Sequence, residues 1–216
     1  RSRRPLNGVV LALDIAHIAT ATASERSAYA SLLRTRLREL METLSTRLPV
    51  YITFTKLDLL HGFEPFFREY TRVQSEDVLG FTFSMDSVNQ LDSWIDEFES
   101  EFKGFVERIN DSLSPIMQGL SDGEDKVAIY SFARQMAGMQ DVLKQFFGDA
   151  LGSDQFSTAP LVRGTFFTSV FQQGVPTNAF VDAASRRYGL AHSINSAQNA
   201  VNSTTYFTQK LFTKII

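Results

Sequence analysis

The tetrad Thr55-Lys56-Leu57-Asp58 is the most specific candidate for chemistry in this chain of 216 residues. The tetrad begins at the last residue of the run 50–55, whose β-branched and aromatic residues predict a buried strand. At a strand end, the Asp58 carboxylate could accept hydrogen bonds from guanine N1 and the exocyclic N2, while the Lys56 stem packs on the ring. A nucleobase-recognition site is therefore one of two interpretations of this spacing.

The same pattern, [N/T]-K-x-D, stands at a strand end in P-loop GTPases. The alternative is that Lys56 and Asp58 merely form a solvated strand end that leads into a helix. The residues of the tetrad alone leave both interpretations open.

Phosphate binding requires other residues, because a glycine-rich loop, a helix N-terminus and a lysine usually hold the phosphates. The chain contains no G-x-x-x-x-G-K-[ST] motif and no Gly-Lys pair. A D-x-x-G pattern, Asp77 to Gly80, follows the tetrad instead of preceding it as in GTPases, so we interpret it as coincidence. We therefore expect no enzyme activity and no tightly bound cofactor in this chain.

Other chemistries have less support. His17, His61 and His192 show no metal-ligand spacing, no G-x-S-x-G motif occurs, and the absence of cysteine excludes thiolate catalysis and Cys-ligated metal. The net charge of -3 provides no field that would gather nucleic acid, so we expect no nucleic-acid partner. No run approaches the roughly 20 apolar residues of a membrane span. Separately, because the first residue is Arg and not Met, we expect the chain to be a fragment of a longer polypeptide.

The elements that must position the tetrad begin with residues 8–15, an apolar run that contains Asp14 and predicts a strand buried on both faces. Ser24 is the predicted cap of an amphipathic helix that Pro49 ends. Its apolar face comprises Leu33, Leu37, Leu40, Leu44 and Leu48. Strand, helix and strand together predict a right-handed βαβ unit in a parallel sheet.

Residues 87–150 predict an antiparallel helical hairpin. Its two helices open with capping-box spacings, Ser87 with Gln90 and Ser121 with Glu124. Acidic residues line the first helix opposite its phenylalanines; a solvated face is the default interpretation and a docking surface the alternative. These residues are Asp92, Asp96, Glu97, Glu99 and Glu101.

The remaining segments are assigned from periodicity and turn residues. We predict a short aromatic helix over 63–70, strands over 78–85 and 161–170, a helix over 177–188, a surface loop over 193–205 and an amphipathic segment over 206–216.

Several blocks, taken together, resemble the IcmF/TssM family and cover nearly the whole chain. The blocks are residues 4–10, 48–51, 54–60, 62–63, 80–83, 163–169, 206–207 and 211–212. The resemblance implies a fragment of a large inner-membrane protein of the bacterial type VI secretion system, located at the cytoplasmic face.

The fold class that the resemblance implies is α/β: a partial P-loop GTPase-like parallel sheet flanked by helices, with an all-α helical extension. Residues 1–86 with 161–190 would form the core without its P-loop, 87–160 the helical hairpin extension, and 191–216 a C-terminal loop and helix. The family's phosphate loop, where present, would precede Arg1.

By the same resemblance, Thr55, Lys56 and Asp58 correspond to the base-recognition tetrad, and Ser169 falls in the second base-contacting loop. That loop departs from the usual small-residue-Lys pattern. These residues would bind a cofactor, GTP or ATP, only in the full-length protein.

The resemblance also implies a structural function: a scaffold domain that docks the TssL cytoplasmic domain, baseplate proteins such as TssK and other copies of the same protein. The alternative is a nucleotide-dependent switch in the full-length protein, in which the helical part responds to the bound state.

Overall fold

A computed structural model describes residues 7–85, 93–153, 159–170 and 205–214. The strands are β1 Val9–Asp14, β2 Pro49–Thr55, β3 Gly80–Thr82, β4 Leu161–Phe167, β5 Ser169–Val170 and β6 Thr205–Tyr206. The helices are α1 Ile15–Thr20, α2 Ala23–Leu44, α3 Phe63–Phe67, α4 Arg72–Ser75, α5 Ser93–Gly119, α6 Gly123–Gly138, α7 Gln140–Leu151 and α8 Gln209–Lys214.

The main sheet has the order β1-β2-β4-β3. Strands β1, β2 and β4 run parallel, which confirms an α/β chain with a parallel sheet flanked by helices. Strand β3 is shorter than predicted and pairs antiparallel with β4. Gly80 permits this pairing, because a Cβ there would lie 2.3 Å from the Thr165 carbonyl oxygen.

The crossover from β1 to β2 contains one helix more than the sequence predicted. Asp14 caps the short helix α1 by accepting from the His17 N–H at 3.0 Å. The cap of α2 is Thr22 and not Ser24, because Thr22 and Glu25 form a reciprocal capping box. Helix α2 ends at Leu44, before Leu48, and Pro49 opens β2 instead of ending the helix.

The predicted hairpin is three helices, α5, α6 and α7. Met139 is the C-cap of α6 and the N-cap of α7, so the apolar stripe that looked continuous crosses a break. Helix α6 is capped by Asp122, whose side chain accepts from the Glu124 N–H, and not by Ser121. The predicted Ser87–Gln90 cap lies outside the described residues.

Phenylalanine rings join these helices to the sheet. Phe105 of α5 stacks on Phe167 of β4 with centroids 4.9 Å apart, and Phe147 of α7 lies 5.9 Å from Phe54 of β2. The described helices and sheet therefore share one hydrophobic core. The division of the chain into domains stays a prediction.

The later predictions are tested only in part. Residues 161–170 are β4 and β5, separated by Thr168, while 206–216 contains the end of β6 and helix α8. The predicted helix 177–188 lies outside the described residues, as does the loop 193–205 except Thr205. Across the ranges described, no helix is long and apolar enough to cross a bilayer.

Candidate functional site

The carboxyl ends of the three parallel strands meet at one edge of the sheet. The register pairs Asp14 with Thr55 and Phe54 with Phe167, so Ser169 follows directly beside the tetrad. We call the group Asp14, Thr55, Lys56, Asp58 and Ser169 the strand-end corner. The structure thus brings together all of the site residues that the sequence proposed and adds Asp14.

Thr55 fastens β2 to β1. Its hydroxyl donates to the Leu13 carbonyl oxygen at 3.2 Å, and the side chain is half-buried. Thr55 therefore helps to position the two strand ends, and its hydroxyl is already used in a hydrogen bond within the sheet.

Lys56 turns back toward β1. Its backbone is left-handed, with φ of 62°, and its Nζ lies 2.7 Å from Asp14 Oδ2. The hydrogen bond to Asp14 raises the pKa of Lys56. Burial raises the pKa of Asp14, but the bonds from Lys56 and from the His17 N–H outweigh burial, so that this pKa is lowered. The two charges stabilise each other.

Asp58 occupies a 3₁₀ turn, Leu57–Leu59, directly after Lys56. The Ser169 hydroxyl donates to Asp58 Oδ1 at 2.5 Å, and Ser169 itself is 1% exposed. Burial raises the pKa of Asp58 more than the bonds from Ser169 and from its own backbone lower it.

The turn is fixed to the end of β4 by backbone contacts. The Leu57 N–H donates to the Thr168 carbonyl oxygen at 3.3 Å, and the Thr168 N–H donates to the Phe54 carbonyl oxygen at 2.7 Å. The Thr168 hydroxyl also donates to this oxygen, at 3.0 Å. Asp58 and Ser169 are therefore positioned by hydrogen bonds between the ends of β2 and β4.

This arrangement can bind groups that donate hydrogen bonds. One ammonium is paired with one carboxylate, and a second, half-buried carboxylate accepts from a hydroxyl, so the corner carries a net negative charge. A planar N–H donor could bind Asp58, whereas an anion would be disfavoured.

Of the other sequence candidates, His17 contacts the corner through its backbone N–H, which donates to Asp14 Oδ1 at 3.0 Å. Asp77, Gly80 and His61 lie elsewhere. Asp77 lies 3.6 Å from Lys210 Nζ, and Gly80 belongs to β3. Burial lowers the pKa of His61, whose Nδ1 is buried without a hydrogen-bond partner. His192 lies outside the described residues. Within the described ranges, no three His, Cys, Asp or Glu side chains converge as a metal site would require.

Two acids of the predicted polar face of α5 make contacts within the chain. Glu97 accepts from the Ser84 N–H at 2.7 Å, and Glu99 pairs with Lys144 of α7. These contacts fix the start of α5 and join two helices. Asp92 lies outside the described residues.

Sequence reasoning missed Asp14 as a partner of Lys56. The available signal was positional: an acid at the end of one buried strand and a lysine just after the end of the next. Once the two strands are parallel and in register, these residues lie close together at the same edge of the sheet.

Comparison with known proteins gives one family and one curated relative. The protein-family model of the IcmF-related N-terminal domain matches residues 1–216 of the sequence. The type VI secretion system component TssM1 of Pseudomonas aeruginosa is 29% identical over 215 residues, which cover 100% of this chain and 19% of the relative's length. No solved structure matches.

Proposed function

The chain belongs to the IcmF-related N-terminal domain family, and from this premise we propose that it is a scaffold domain of a type VI secretion membrane complex. It would lie at the cytoplasmic face of the inner membrane. The chain spans only 19% of the length of the TssM1 relative. Any activity or partner of a full-length protein is therefore proposed here for this chain and not shown.

The observation that carries the proposal is the pairing of Lys56 with Asp14. The lysine that would lie over a nucleobase is already bound to the neighbouring strand, and the 216 residues contain no phosphate-loop motif. A corner whose lysine is paired within the chain, in a sequence without a phosphate-loop motif, supports a structural role over catalysis.

We place the docking surface for the TssL cytoplasmic domain on the outer side of α6. Val127 and Tyr130 are three positions apart and are 69% and 54% exposed, while Ile129 and Phe132 of the same helix are buried. Contiguous exposed apolar surface marks protein interfaces, and tyrosine is enriched in them. Baseplate proteins such as TssK and further copies of the chain would use other surfaces.

Co-purification with the TssL cytoplasmic domain tests this proposal. We expect the wild-type chain to form a stable complex and the double variant Val127→Asp, Tyr130→Asp to lose it. Leu32→Asp is the matched control, because Leu32 is 53% exposed on α2, and it should bind as the wild type does. Absence of a complex with the wild-type chain would overturn the TssL assignment.

The second candidate is a nucleotide-dependent switch in the full-length protein with a P-loop GTPase-like fold. It is favoured by the 2.5 Å bond from Ser169 to Asp58, which sets a carboxylate beside the end of β4 as base recognition would require. Titration of a longer protein that includes a phosphate loop with labelled GTP and ATP tests binding; absence of saturable binding would remove this candidate.

Base selection has its own test in that longer protein. Asp58→Asn should weaken GTP and improve xanthine-nucleotide binding, because the amide reverses one hydrogen-bond preference. Equal affinities for both bases would leave Asp58 without a role in selection.

A further inference from the structure

Ser169 is held from two sides. Its hydroxyl donates to Asp58 at 2.5 Å, and its backbone pairs with Tyr206 in the antiparallel ladder of β5 and β6. A change in the position of Ser169 therefore affects both the Asp58 carboxylate and strand β6. We call residues 205–214 the C-terminal segment.

The rings of the C-terminal segment pack on the helix that follows the Asp58 turn. Tyr206 meets Phe63 edge-on with centroids 5.3 Å apart, and Phe207 lies 5.2 Å from Phe67. Phe207 is 3% exposed, and its N–H donates to the Ser75 carbonyl oxygen at 2.5 Å. The segment thus contacts the corner directly through Ser169, and it also contacts α3, the helix that follows the Asp58 turn.

Helix α8 completes the docking. Leu211 is fully buried, and the Lys210 N–H donates to the Glu76 carbonyl oxygen at 3.4 Å. Lys210 Nζ lies 3.6 Å from Asp77 Oδ1, which is a long contact. Helix α8 is therefore held by the burial of Leu211 together with two long polar contacts of Lys210.

The β5–β6 ladder is the weakest part of this docking. The ladder consists of two residue pairs, Ser169 with Tyr206 and Val170 with Thr205, and so short a ladder is marginal by itself. Phe207 has φ of 62°, a conformation that an aromatic residue adopts only where its surroundings hold it. A segment with few pairs and a strained residue opens more readily than a core strand.

We propose that the C-terminal segment is coupled to the Ser169–Asp58 hydrogen bond. A ligand or partner group that takes Asp58 away from Ser169 increases the released fraction of the segment. Release of the segment in turn weakens the bond, since coupling between two sites is reciprocal. The element with two states is β6, paired with β5 or unpaired. This coupling needs neither the TssL interface nor a bound nucleotide.

Amide hydrogen exchange of the 216-residue chain tests the coupling. Ser169→Ala and Asp58→Ala each remove the bond, and we expect exchange in residues 205–210 to accelerate about fivefold, as the loss of one net hydrogen bond predicts. Exchange in α2 and α7 should stay unchanged. In a globally unstable variant, amide exchange in α2 and α7 would accelerate as much as in residues 205–210. In that case the two conservative variants described next test the coupling.

Two conservative variants separate coupling from local damage. Asp58→Asn keeps an acceptor oxygen for Ser169 and should leave the C-terminal segment protected. Thr55→Val removes another hydroxyl of the same corner, the one that donates to Leu13 O, and should not affect residues 205–210. Unchanged exchange in both alanine variants, or equal acceleration in Thr55→Val, would overturn the proposal.

The reverse direction has an independent measurement. Leu211→Asp places a charge in the buried seat of α8 and should release the segment. We then expect the carboxyl-carbon NMR titration of Asp58 to move, whereas that of Asp14 should stay. An unchanged Asp58 titration with a released segment would contradict reciprocal coupling.

Discussion

Lys56 Nζ lies 2.7 Å from Asp14 Oδ2, so the lysine of the tetrad is bound to the end of the neighbouring strand. The left-handed backbone of Lys56 directs the side chain there. Asp58 is thereby left as the carboxylate that is open to a donor from outside. The two acids of the corner thus have different roles and should respond differently to pH.

Asp14→Asn should destabilise the chain near neutral pH. Asparagine remains a good cap for α1, so the change chiefly removes the ion pair with Lys56. The folded pKa of Asp14 is lowered, so its stabilisation is present above the usual value of 3.8 and is lost as the pH falls through the folded pKa. Urea midpoints should differ from wild type at about pH 7 and converge in acid.

The matched variant is Lys56→Met, which keeps most of the aliphatic stem. Its effect should not add to that of Asp14→Asn in the double variant, because both remove one interaction. Fully additive midpoint shifts would contradict the pairing.

Asp58 should show the opposite dependence on pH. Its folded pKa is raised above 3.8, chiefly by burial, so its ionisation costs folding free energy. This cost is absent in strong acid, develops as the pH rises from 3.8 through the folded pKa, and is complete above it. We expect Asp58→Asn to gain stability over wild type across that window, as measured by urea unfolding in a pH series. A gain that is independent of pH would show that ionisation is not the cause.

Gly62→Ala should strongly destabilise the chain. Gly62 caps α3 with φ of +87°, and an added Cβ would lie 1.9 Å from the Ala128 carbonyl oxygen of α6. We expect a loss of about 2–4 kcal/mol of unfolding free energy in urea denaturation. The control is Gly104→Ala in the middle of α5, where the nearest atom is Arg108 Nη1 at 3.8 Å and alanine should stabilise by up to about 1 kcal/mol. Equal effects at both positions would contradict the close approach of α3 and α6.

Arg34 of α2 caps the end of α7. Its guanidinium donates to the carbonyl oxygens of Gly148 at 2.7 Å, Asp149 at 2.6 Å and Gly152 at 3.0 Å. Arg34→Lys cannot reproduce this fork and should cost about 1–2 kcal/mol of unfolding free energy, measured by urea denaturation. Arg36→Lys, at an exposed ion pair with Glu39, should change stability by less than about 0.5 kcal/mol. Similar losses at both positions would show that the cap contributes nothing specific.

The parallel strands were predictable because their apolar runs are long and end in polar residues. The direction of β3 was not, since three residues carry no information about strand direction, and Gly80 reveals its role only beside Thr165. The break at Met139 was hidden because its right-handed backbone, with φ of -86°, lets the apolar stripe continue.

The candidate site was predictable in its parts but not in its pairings. The tetrad marked Thr55, Lys56 and Asp58, and the family resemblance marked Ser169. The partner of Lys56 depends on the register of β1 against β2, so the polar ends of the two strands indicate it only once the strands are taken as parallel and in register. The Thr22 cap, in contrast, has the capping-box spacing with Glu25 and could have been found by applying that rule strictly.

The stack of Phe105 on Phe167 has a consequence for how the chain can be divided. If α5–α7 were excised, Phe54 and Phe167 would lose the rings that cover them, and the severed helices would carry Phe105 and Phe147 into water. Both pieces would then be prone to aggregation, so a soluble truncation of this protein must keep the helices with the strands they shelter.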